Sequence, residues 1–379
     1  MESPRLLPAL TDDLLEEVFV RIGSPADLVR ASAACVAFRR LIADPTFLRR
    51  YRSLHPPLLL GLISADGNPL EPTEVPHPSA ALAGAISRAA DFDFDAYLPS
   101  GAGGSYLCDV RDGRVLLMCS PEDDDGEYVF CQLAVCDPLA RRCLLLPPLP
   151  DDLLASVQAQ MPDLAYLGAF LVPSGDDEDA TSFRVIACTT FTQMAVSFIF
   201  SSDIGHWSAG PSMSCDARTL SIPHDDPPSY AYGCFYWKVD IENKLLKLDT
   251  SSMEFSFVDL PPGHDKSRVV IVEAGEGRLG MFSVINGLTS LYYTITKIGS
   301  DRFDQLIMDS VIPLPADYYF CIQSSYEGHI FILGYRFTYT TCFTLEIKTL
   351  KIERVCRRFR SGGYYPYFGF PASMSERRI

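Results

Sequence analysis

The spacing of apolar residues divides the chain into two unlike parts. Up to about residue 57, apolar side chains recur every three or four positions, as Leu14, Val18 and Ile22 do, and this period is typical of amphipathic helices. From Leu58 onward, short apolar stretches alternate with turns rich in Gly, Pro, Asn and Asp, which is typical of β-strands. The pattern therefore predicts a small all-α unit followed by an all-β domain.

Helix boundaries within residues 1–57 are marked by residues that cap helices. Thr11, Ser24-Pro25 and Asp44-Pro45 each stand just before a helical pattern. A side-chain oxygen at such a position accepts a hydrogen bond from an otherwise unpaired backbone N–H, and Pro fits the first helical turn. We expect three to four short helices here.

A helical unit of this size is too small to bury all of its apolar residues internally. The surplus apolar surface requires a partner, which is either the β domain or another protein. In the first case the unit is an N-terminal cap on the β domain, and in the second it is a docking module.

The β region repeats a strand–turn–strand pattern. Three of its turns carry an aspartate, Asp137, Asp203 or Asp249, and aspartate favours turns by accepting hydrogen bonds from nearby backbone. The period is roughly fifty residues, the length of a four-stranded propeller blade. The repeats span residues 133–150, 198–213, 245–263, 342–356 and, more loosely, 291–315, and glycine-led strands precede them at 233–240, 277–284 and 328–337.

This period predicts a β-propeller of about six blades, although five or seven blades, or a pair of β-sandwiches, stay open. Residues 58–105 are poorly patterned and are either a linker or a degenerate first blade. Residues 106–379 then form the propeller with a C-terminal tail.

Charge is distributed unevenly between the two regions. Residues 1–57 carry eight Arg and seven acidic residues, a net charge of +1, and because the whole chain carries −16 the remaining residues carry −17. An acidic body repels phosphate groups, so we expect neither nucleic acid nor an anionic membrane as a partner. The sequence also shows no leader of signal-peptide length and no apolar run approaching a membrane span.

Cysteine usage indicates a reducing compartment. Twelve cysteines in 379 residues are too few for a disulfide scaffold, and no two have C-x-x-C spacing. Cys131, Cys136 and Cys143 lie closest together, in alternating strand-like sequence. We interpret them as small buried thiols, and we expect the protein in the cytoplasm, the nucleus or both.

Local motifs for catalysis or metal binding are missing from the sequence. The acidic runs at 121–128 and 174–181 lack the ligand spacing of a calcium loop, and the six histidines share no zinc spacing. Neither a nucleophile elbow nor a phosphate-binding loop occurs. We therefore expect no catalytic residue, no metal and no cofactor, although distant loops of a propeller can assemble an active site.

Aromatic residues in expected loops are candidates for a target-binding surface, because aromatic side chains are enriched at binding sites. The alternative is that they lie in the core between blades. The candidates are Tyr230, Tyr232, Tyr318, Tyr319, Tyr364, Tyr365 and Tyr367.

The stretch LTDDLLEEVFVRIGSPADLVRASAACVAFRRLIADPTF, residues 10–47, resembles the F-box family. The family pattern runs Leu-Pro-x-Asp-Leu, an apolar pair ending in Arg-Leu-Pro, Asp-Leu-x-Arg, Cys-x-x-Trp-Arg, Leu-Ile and Asp-Pro-x-Phe. The chain departs from it at Thr11, where Pro is usual, at Phe38, where Trp is commonest, and at Gly23-Ser24. The matching positions are Leu10, Asp13, Leu14, Val18, Arg21, Ile22, Asp27, Leu28, Arg30, Cys35, Arg39, Leu41, Ile42, Asp44, Pro45 and Phe47.

This resemblance implies that the helices dock on the SKP-family adaptor of a cullin-RING ubiquitin ligase of the SCF type. Docking of this kind buries apolar anchors between two proteins. The implied adaptor-binding residues are Leu10, Leu14, Leu15, Val18, Ile22, Leu28, Cys35, Phe38, Leu41 and Ile42.

The segments CDPLARRCLLLPPLP, YGCFYWKVDIENKLLKLDTSSMEFSFVDLPPG and VEAGEGRLGMFSV are similar to the kelch-like, F-box-associated propeller region of large plant F-box families, over about residues 58–360. Together the two resemblances imply a non-catalytic substrate-recognition subunit whose propeller binds an unidentified protein for ubiquitination. Two alternatives stay open. The chain could be an adaptor-binding scaffold acting outside a ligase, or a propeller enzyme or ligand-binding protein with a helical cap.

Overall fold

The computed structural model describes most of the chain between residues 10 and 370. Residues 122–128 and 174–181, which make up nearly all of the two acidic runs, lie outside the described residues. The gaps in the described range are 66–68, 91, 95–97, 99–101, 122–131, 158–163, 174–181, 192, 215–219, 221, 223–226, 240–242, 262–263, 265–267, 286–288, 299–302, 338 and 359–362.

Four short helices form an N-terminal helical unit, and three of them begin after a predicted cap. The side-chain oxygens of Thr11, Ser24 and Asp44 each accept a backbone N–H hydrogen bond from two or three residues further on, at 2.8–3.4 Å. Within the described segments, no helix has the length and apolar content needed to cross a membrane. The helices are α1 (Asp12–Phe19), α2 (Pro25–Ala34), α3 (Val36–Ile42) and α4 (Pro45–Leu54), followed within the β region by α5 (Ala80–Ala89) and α6 (Asp151–Ala155).

The core of the helical unit includes a residue from the other end of the chain. Leu28 and Tyr51 are fully buried in this core, and the Tyr51 hydroxyl donates a hydrogen bond to the Ile22 carbonyl oxygen at 2.7 Å. Phe370 is also buried there, with its ring centroid 6.4 Å from that of Tyr51. The unit is therefore attached to the β domain by side-chain packing as well as by the chain itself.

The β domain is a six-bladed β-propeller, as the repeat period predicted. Five blades are four-stranded antiparallel sheets built from consecutive strands, β3–β6, β7–β10, β11–β14, β15–β18 and β19–β22, and the sixth has the order β2-β1-β23. The strands are β1 (Leu58–Ser64), β2 (Glu71–Pro72), β3 (Ala102–Arg111), β4 (Arg114–Pro121), β5 (Gln132–Asp137), β6 (Arg142–Leu145), β7 (Leu164–Val172), β8 (Arg184–Phe191), β9 (Met194–Ser201), β10 (His206–Ser214), β11 (Ser229–Ala231), β12 (Cys234–Val239), β13 (Lys244–Asp249), β14 (Glu254–Asp259), β15 (Val269–Glu273), β16 (Arg278–Ile285), β17 (Ser290–Ile298), β18 (Phe303–Pro313), β19 (Tyr319–Tyr326), β20 (His329–Arg336), β21 (Tyr339–Glu346), β22 (Ile352–Arg358) and β23 (Tyr364–Gly369).

The three-stranded blade closes the ring by joining the two ends of the propeller sequence. Strand β1 runs antiparallel to β23, with Leu58 opposite Gly369 and Ser64 opposite Tyr364. Strand β23 in turn contacts β3 of the next blade. The poorly patterned segment 58–105 thus contains β1, β2, α5 and the beginning of β3.

The predicted strand–turn–strand repeats are the third and fourth strands of their blades, and the glycine-led strands are the second strands. Asp137 and Asp249 each accept hydrogen bonds from the backbone N–H groups two and three residues later, at 3.0–3.1 Å. These contacts confirm the turn role predicted for both. Asp203 differs, because it is exposed and accepts no hydrogen bond within the described part of the chain.

A buried polar cluster joins three of the first strands of the blades. The Asp109 carboxylate on β3, only 2% exposed, accepts hydrogen bonds from the Tyr326 hydroxyl on β19 at 3.0 Å and from the Leu171 N–H on β7 at 3.1 Å. It also pairs with Arg111 Nε at 2.9 Å. Because the three strands belong to different blades, this one carboxylate ties the blades together.

The structure corrects the interpretation of Cys136 and Cys143 as free thiols. The two residues stand directly opposite each other on β5 and β6, with their Cα atoms 4.0 Å apart, and form a disulfide bond. The hairpin register brings their sulfur atoms together, and the sequence spacing alone did not reveal that register.

Candidate partner-binding surfaces

An exposed apolar stripe runs along α1. Leu14 and Val18 are 53% and 51% exposed, and their spacing of four residues puts them on one side of the helix. Leu10, two residues before the helix begins, is 58% exposed. Val36, at the start of α3, is 80% exposed. Apolar side chains so exposed in a row are available for contact with another protein.

The other implied adaptor-binding residues are less accessible. Leu28, Leu41 and Ile42 are buried in the core of the helical unit. Leu15, Ile22 and Phe38 are partly buried against the same core, with the Phe38 ring 4.9 Å from that of Phe19 in an edge-on contact. The side chains of the buried three hold the helices together and leave no surface for a partner. Cys35 is exposed and caps α3 through a hydrogen bond from the Phe38 N–H at 3.5 Å.

Ion pairs hold α1 against the following helices. Arg40 on α3 reaches Asp12 at 3.2 Å, and Arg50 on α4 pairs with Glu17. The hydrogen bond from Arg50 is the main reason that the pKa of Glu17 lies below its ordinary value. All four groups are at least 40% exposed, so these pairs orient α1 more than they stabilise it.

Most of the candidate tyrosines lie inside the propeller. Tyr364 and Tyr367 are 8% and 0% exposed, and burial raises the pKa of Tyr365 far above its ordinary value. Tyr230 on β11 is half-buried beneath Arg111, whose guanidinium carbon lies 5.4 Å from the ring centre. The structure therefore assigns these four side chains to the packing between blades.

Tyr232 also serves to join two blades. Its backbone, with φ +47°, forms the turn after β11, and its N–H donates a hydrogen bond to Glu273 Oε1 on β15 at 2.7 Å. Of the two remaining candidates, Tyr318 lies just before β19 and Tyr319 is the first residue of that strand. Tyr319 is 67% exposed, and its side chain is on the opposite face of the sheet from that of Tyr318.

Sequence reasoning missed the residues that lie near Tyr318. The end of β20 and the β20–β21 turn supply Arg336, Phe337 and Tyr339, and β22 contributes Arg357, which stacks on Tyr339. We call Tyr318, Arg336, Phe337, Tyr339 and Arg357 the aromatic–arginine patch. Their clustering depends on strand register between segments some forty residues apart, although the basic run RRFR at 357–360 is visible in the sequence.

A histidine inside the propeller contacts two hydroxyl groups. His264 is fully buried, and its two ring nitrogens lie 2.8 Å from Ser283 Oγ and from Thr294 Oγ1, both also buried. Within the described residues, no group of three or more His, Cys, Asp or Glu side chains is arranged to hold a metal ion.

Comparison with known proteins does not assign a family. No family model and no curated protein matches the chain. Among solved structures, apo AztD from Citrobacter koseri is 11% identical with TM-score 0.29, covering 69% of this chain and 61% of AztD. TolB from Acinetobacter baumannii is 7% identical with TM-score 0.39, covering 70% of this chain and 57% of TolB. Oligopeptidase B from Trypanosoma brucei is 13% identical with TM-score 0.33, covering 69% of this chain and 35% of that enzyme.

The matched region thus spans less than two thirds of the length of each of these three proteins. Their low identities and TM-scores carry no inference about activity or partners.

Proposed function

We propose that this protein is the substrate-recognition subunit of an SCF-type ubiquitin ligase. In this proposal the helical unit is an F-box that docks on the SKP-family adaptor, and the propeller binds the target protein. The observation that carries the proposal is the exposed stripe of Leu14 and Val18 on α1, together with exposed Leu10 just before the helix. All three coincide with apolar positions of the F-box pattern.

The stripe has the properties of a docking surface. Full burial of a Leu or Val side chain contributes about 1.5–3 kcal/mol, so covering three half-exposed ones contributes roughly 2–4 kcal/mol. Ion pairs from Arg40 and Arg50 hold α1 in place, so little conformational freedom is lost on binding. An adaptor with an apolar groove and flanking charges would fit this surface.

The proposed contribution to ubiquitination is proximity and involves no covalent step on this chain. Holding the target near the ubiquitin-loaded enzyme raises the effective concentration of its lysines. Packing of Phe370 between the helical unit and the propeller favours this role, because it limits how freely the bound target can move relative to the adaptor.

Co-purification of an SKP-family adaptor and a cullin tests the proposal. We expect the full chain to capture both, and Leu14→Asp or Val18→Asp to reduce adaptor capture at least tenfold, because a buried charge opposes docking. Ile204→Asp is the matched control, since Ile204 is 65% exposed but lies on the propeller. Undiminished capture by both α1 variants would overturn the proposed docking surface. Adaptor capture without cullin would instead support a scaffold outside a ligase.

A further inference from the structure

The aromatic–arginine patch combines an exposed aromatic ring with two arginines. Phe337, at the tip of the β20–β21 turn, is completely exposed. The preceding residue, Arg336, donates a hydrogen bond from Nη1 to the Tyr339 hydroxyl at 3.3 Å. Arg357 stacks on the same ring, with its guanidinium carbon 4.5 Å from the ring centre.

Packing beneath the patch fixes the position of Tyr318. A Cβ atom on Gly334 would lie 2.9 Å from a ring carbon of Tyr318 and 2.9 Å from one of Phe320, so only glycine lets the Tyr318 ring lie on the sheet. The Tyr318 ring also packs edge-on against Phe343 at 5.3 Å. The patch therefore stands on a rigid blade.

The two guanidinium groups are free to bind an anion. Neither Arg336 nor Arg357 forms an ion pair with a described carboxylate. Asp317 acts on Arg336 only from a greater distance. The pKa of Tyr339 also reflects the positive charge around its hydroxyl group. Partial burial acts to raise this pKa, but hydrogen bonding to Arg336 and Tyr318 and the charges of Arg336 and Arg357 lower it overall.

This positive patch is unusual on a protein whose net charge is −16. A cationic, aromatic surface on an acidic body attracts acidic ligands locally while the rest of the molecule repels them. Arg pairs with carboxylates through two parallel hydrogen bonds, and exposed aromatic rings bind apolar side chains at interfaces. The matching ligand therefore carries both carboxylates and an apolar residue.

The patch lies at the end of the propeller remote from the helical unit. Tyr326, at the far end of β19, bonds to Asp109, and the Tyr367 hydroxyl on β23 bonds to the nearby Gly113 carbonyl oxygen at 3.3 Å. Strand β23 leads directly to Phe370 in the helical unit. Because β19 has eight residues, the patch is about 23 Å from the end of the propeller at which Tyr326 and the helical unit lie.

We infer that the aromatic–arginine patch binds a short acidic peptide segment of a protein, with carboxylates on Arg336 and Arg357 and an apolar side chain against Phe337. Calling this segment part of a ubiquitination target rests on the proposed function, but the binding itself does not require an adaptor.

Selection from a display library of short random peptides on the immobilised full-length protein tests the inference. We expect Asp and Glu to be enriched in the recovered peptides, and Arg336→Glu/Arg357→Glu to abolish the enrichment. Arg88→Glu/Lys348→Glu is the matched control, because both residues are exposed and lie outside the patch. For a recovered peptide, fluorescence anisotropy should show affinity falling about tenfold or more in the patch variant, or when its acids are replaced by amides.

Two results would overturn the inference. One is a set of recovered peptides in which Asp and Glu are not enriched, or are enriched equally on the unchanged protein and on the Arg336→Glu/Arg357→Glu variant. The other is a dimer, detected by light scattering, that the patch variant converts into monomers, because a second copy of this chain would then be the occupant. Leu14→Asp should leave peptide selection unchanged, and the patch variant should still capture the adaptor, so failure here is distinguishable from failure of the proposed function.

Discussion

The helical unit and the propeller complete their cores in different ways. The propeller buries large side chains, such as Trp237 and Phe282, between blades and closes its ring through β1 and β23. The helical unit leaves Leu10, Leu14 and Val18 exposed and completes its own core with Phe370. A region that exposes apolar side chains beside a self-contained domain is suited to docking, and the self-contained domain is suited to presenting a rigid surface.

Two ion pairs, one from each region, differ in their exposure to water. Asp12 and Arg40 form an exposed pair in the helical unit, whereas Asp109 and Arg111 form a pair that is 2% and 10% exposed in the propeller. An exposed pair is screened by water and contributes little, but a buried charge that loses its partner is strongly unfavourable. The comparison can be tested by removing one carboxylate from each pair.

The largest effect is expected for Asp109→Ala. Removing this carboxylate leaves the Arg111 charge buried without its partner and also deprives the Tyr326 hydroxyl and the Leu171 N–H of their acceptor. We expect the free energy of unfolding to fall by about 3–5 kcal/mol. Asp12→Ala, the matched control, should lower it by less than about 1 kcal/mol. Urea unfolding of both variants measures the difference, and similar losses would contradict the contrast between the regions.

The sequence predicted those features that depend on neighbouring residues. Caps at Thr11, Ser24 and Asp44 and turns at Asp137 and Asp249 use hydrogen bonds within two or three residues, and the blade length follows from their repetition. Contacts between residues so close in the chain depend on the types of those residues, so the sequence alone can predict them.

Features that depend on distant pairing were not predictable. The Tyr326–Asp109 bond joins residues 217 positions apart, and the pairing of β1 with β23 joins residues 58 and 369. For the same reason the sequence could not distinguish buried Tyr367 from exposed Phe337, because both are aromatic residues near turns and only blade packing separates them.

Phe370→Ala should loosen the helical unit selectively. The ring packs against Tyr51 and lies 5.9 Å from the Arg52 guanidinium carbon, and truncating a buried Phe costs about 3 kcal/mol or more. Amide hydrogen exchange should therefore accelerate in α4. Phe368→Ala is a matched control two residues earlier, because Phe368 packs on Phe331 within the propeller and should accelerate exchange in β20 instead. Equal effects of both variants on α4 would show that Phe370 has no special linking role.

A smaller, pH-dependent effect is expected at the β13–β14 turn. Partial burial acts to raise the pKa of Asp249, but hydrogen bonds from Ser251 and Ser252 and the charge of Lys247 lower it well below its ordinary value. A lowered folded-state pKa stabilises the fold above the unfolded pKa of about 3.9, and this contribution is lost as the pH falls below it. Asp249→Asn should cost about 1 kcal/mol at neutral pH.

The deficit of Asp249→Asn should persist at pH 5 and shrink only below about pH 4. Asp203→Asn, in the corresponding turn of another blade but without these hydrogen bonds, should change stability little at either pH. Urea midpoints of the three proteins across this pH range measure the effect. A deficit that is constant with pH would mean that the Asp249 charge does not contribute.

The smallest effect on stability is expected for Leu14→Ser/Val18→Ser. Both side chains are more than half exposed on α1, and substitutions at such surface positions change the free energy of unfolding by about 0.5 kcal/mol or less. Leu28→Ser, in the fully buried core of the same unit, should lower it by several times as much. Thermal unfolding compares the two.

If the exposed pair of substitutions proves as destabilising as Leu28→Ser, the stripe is part of the core of the helical unit. Loss of adaptor capture on changing the stripe would then not identify a docking surface. If the exposed pair is neutral, the same loss reports contact with the adaptor directly.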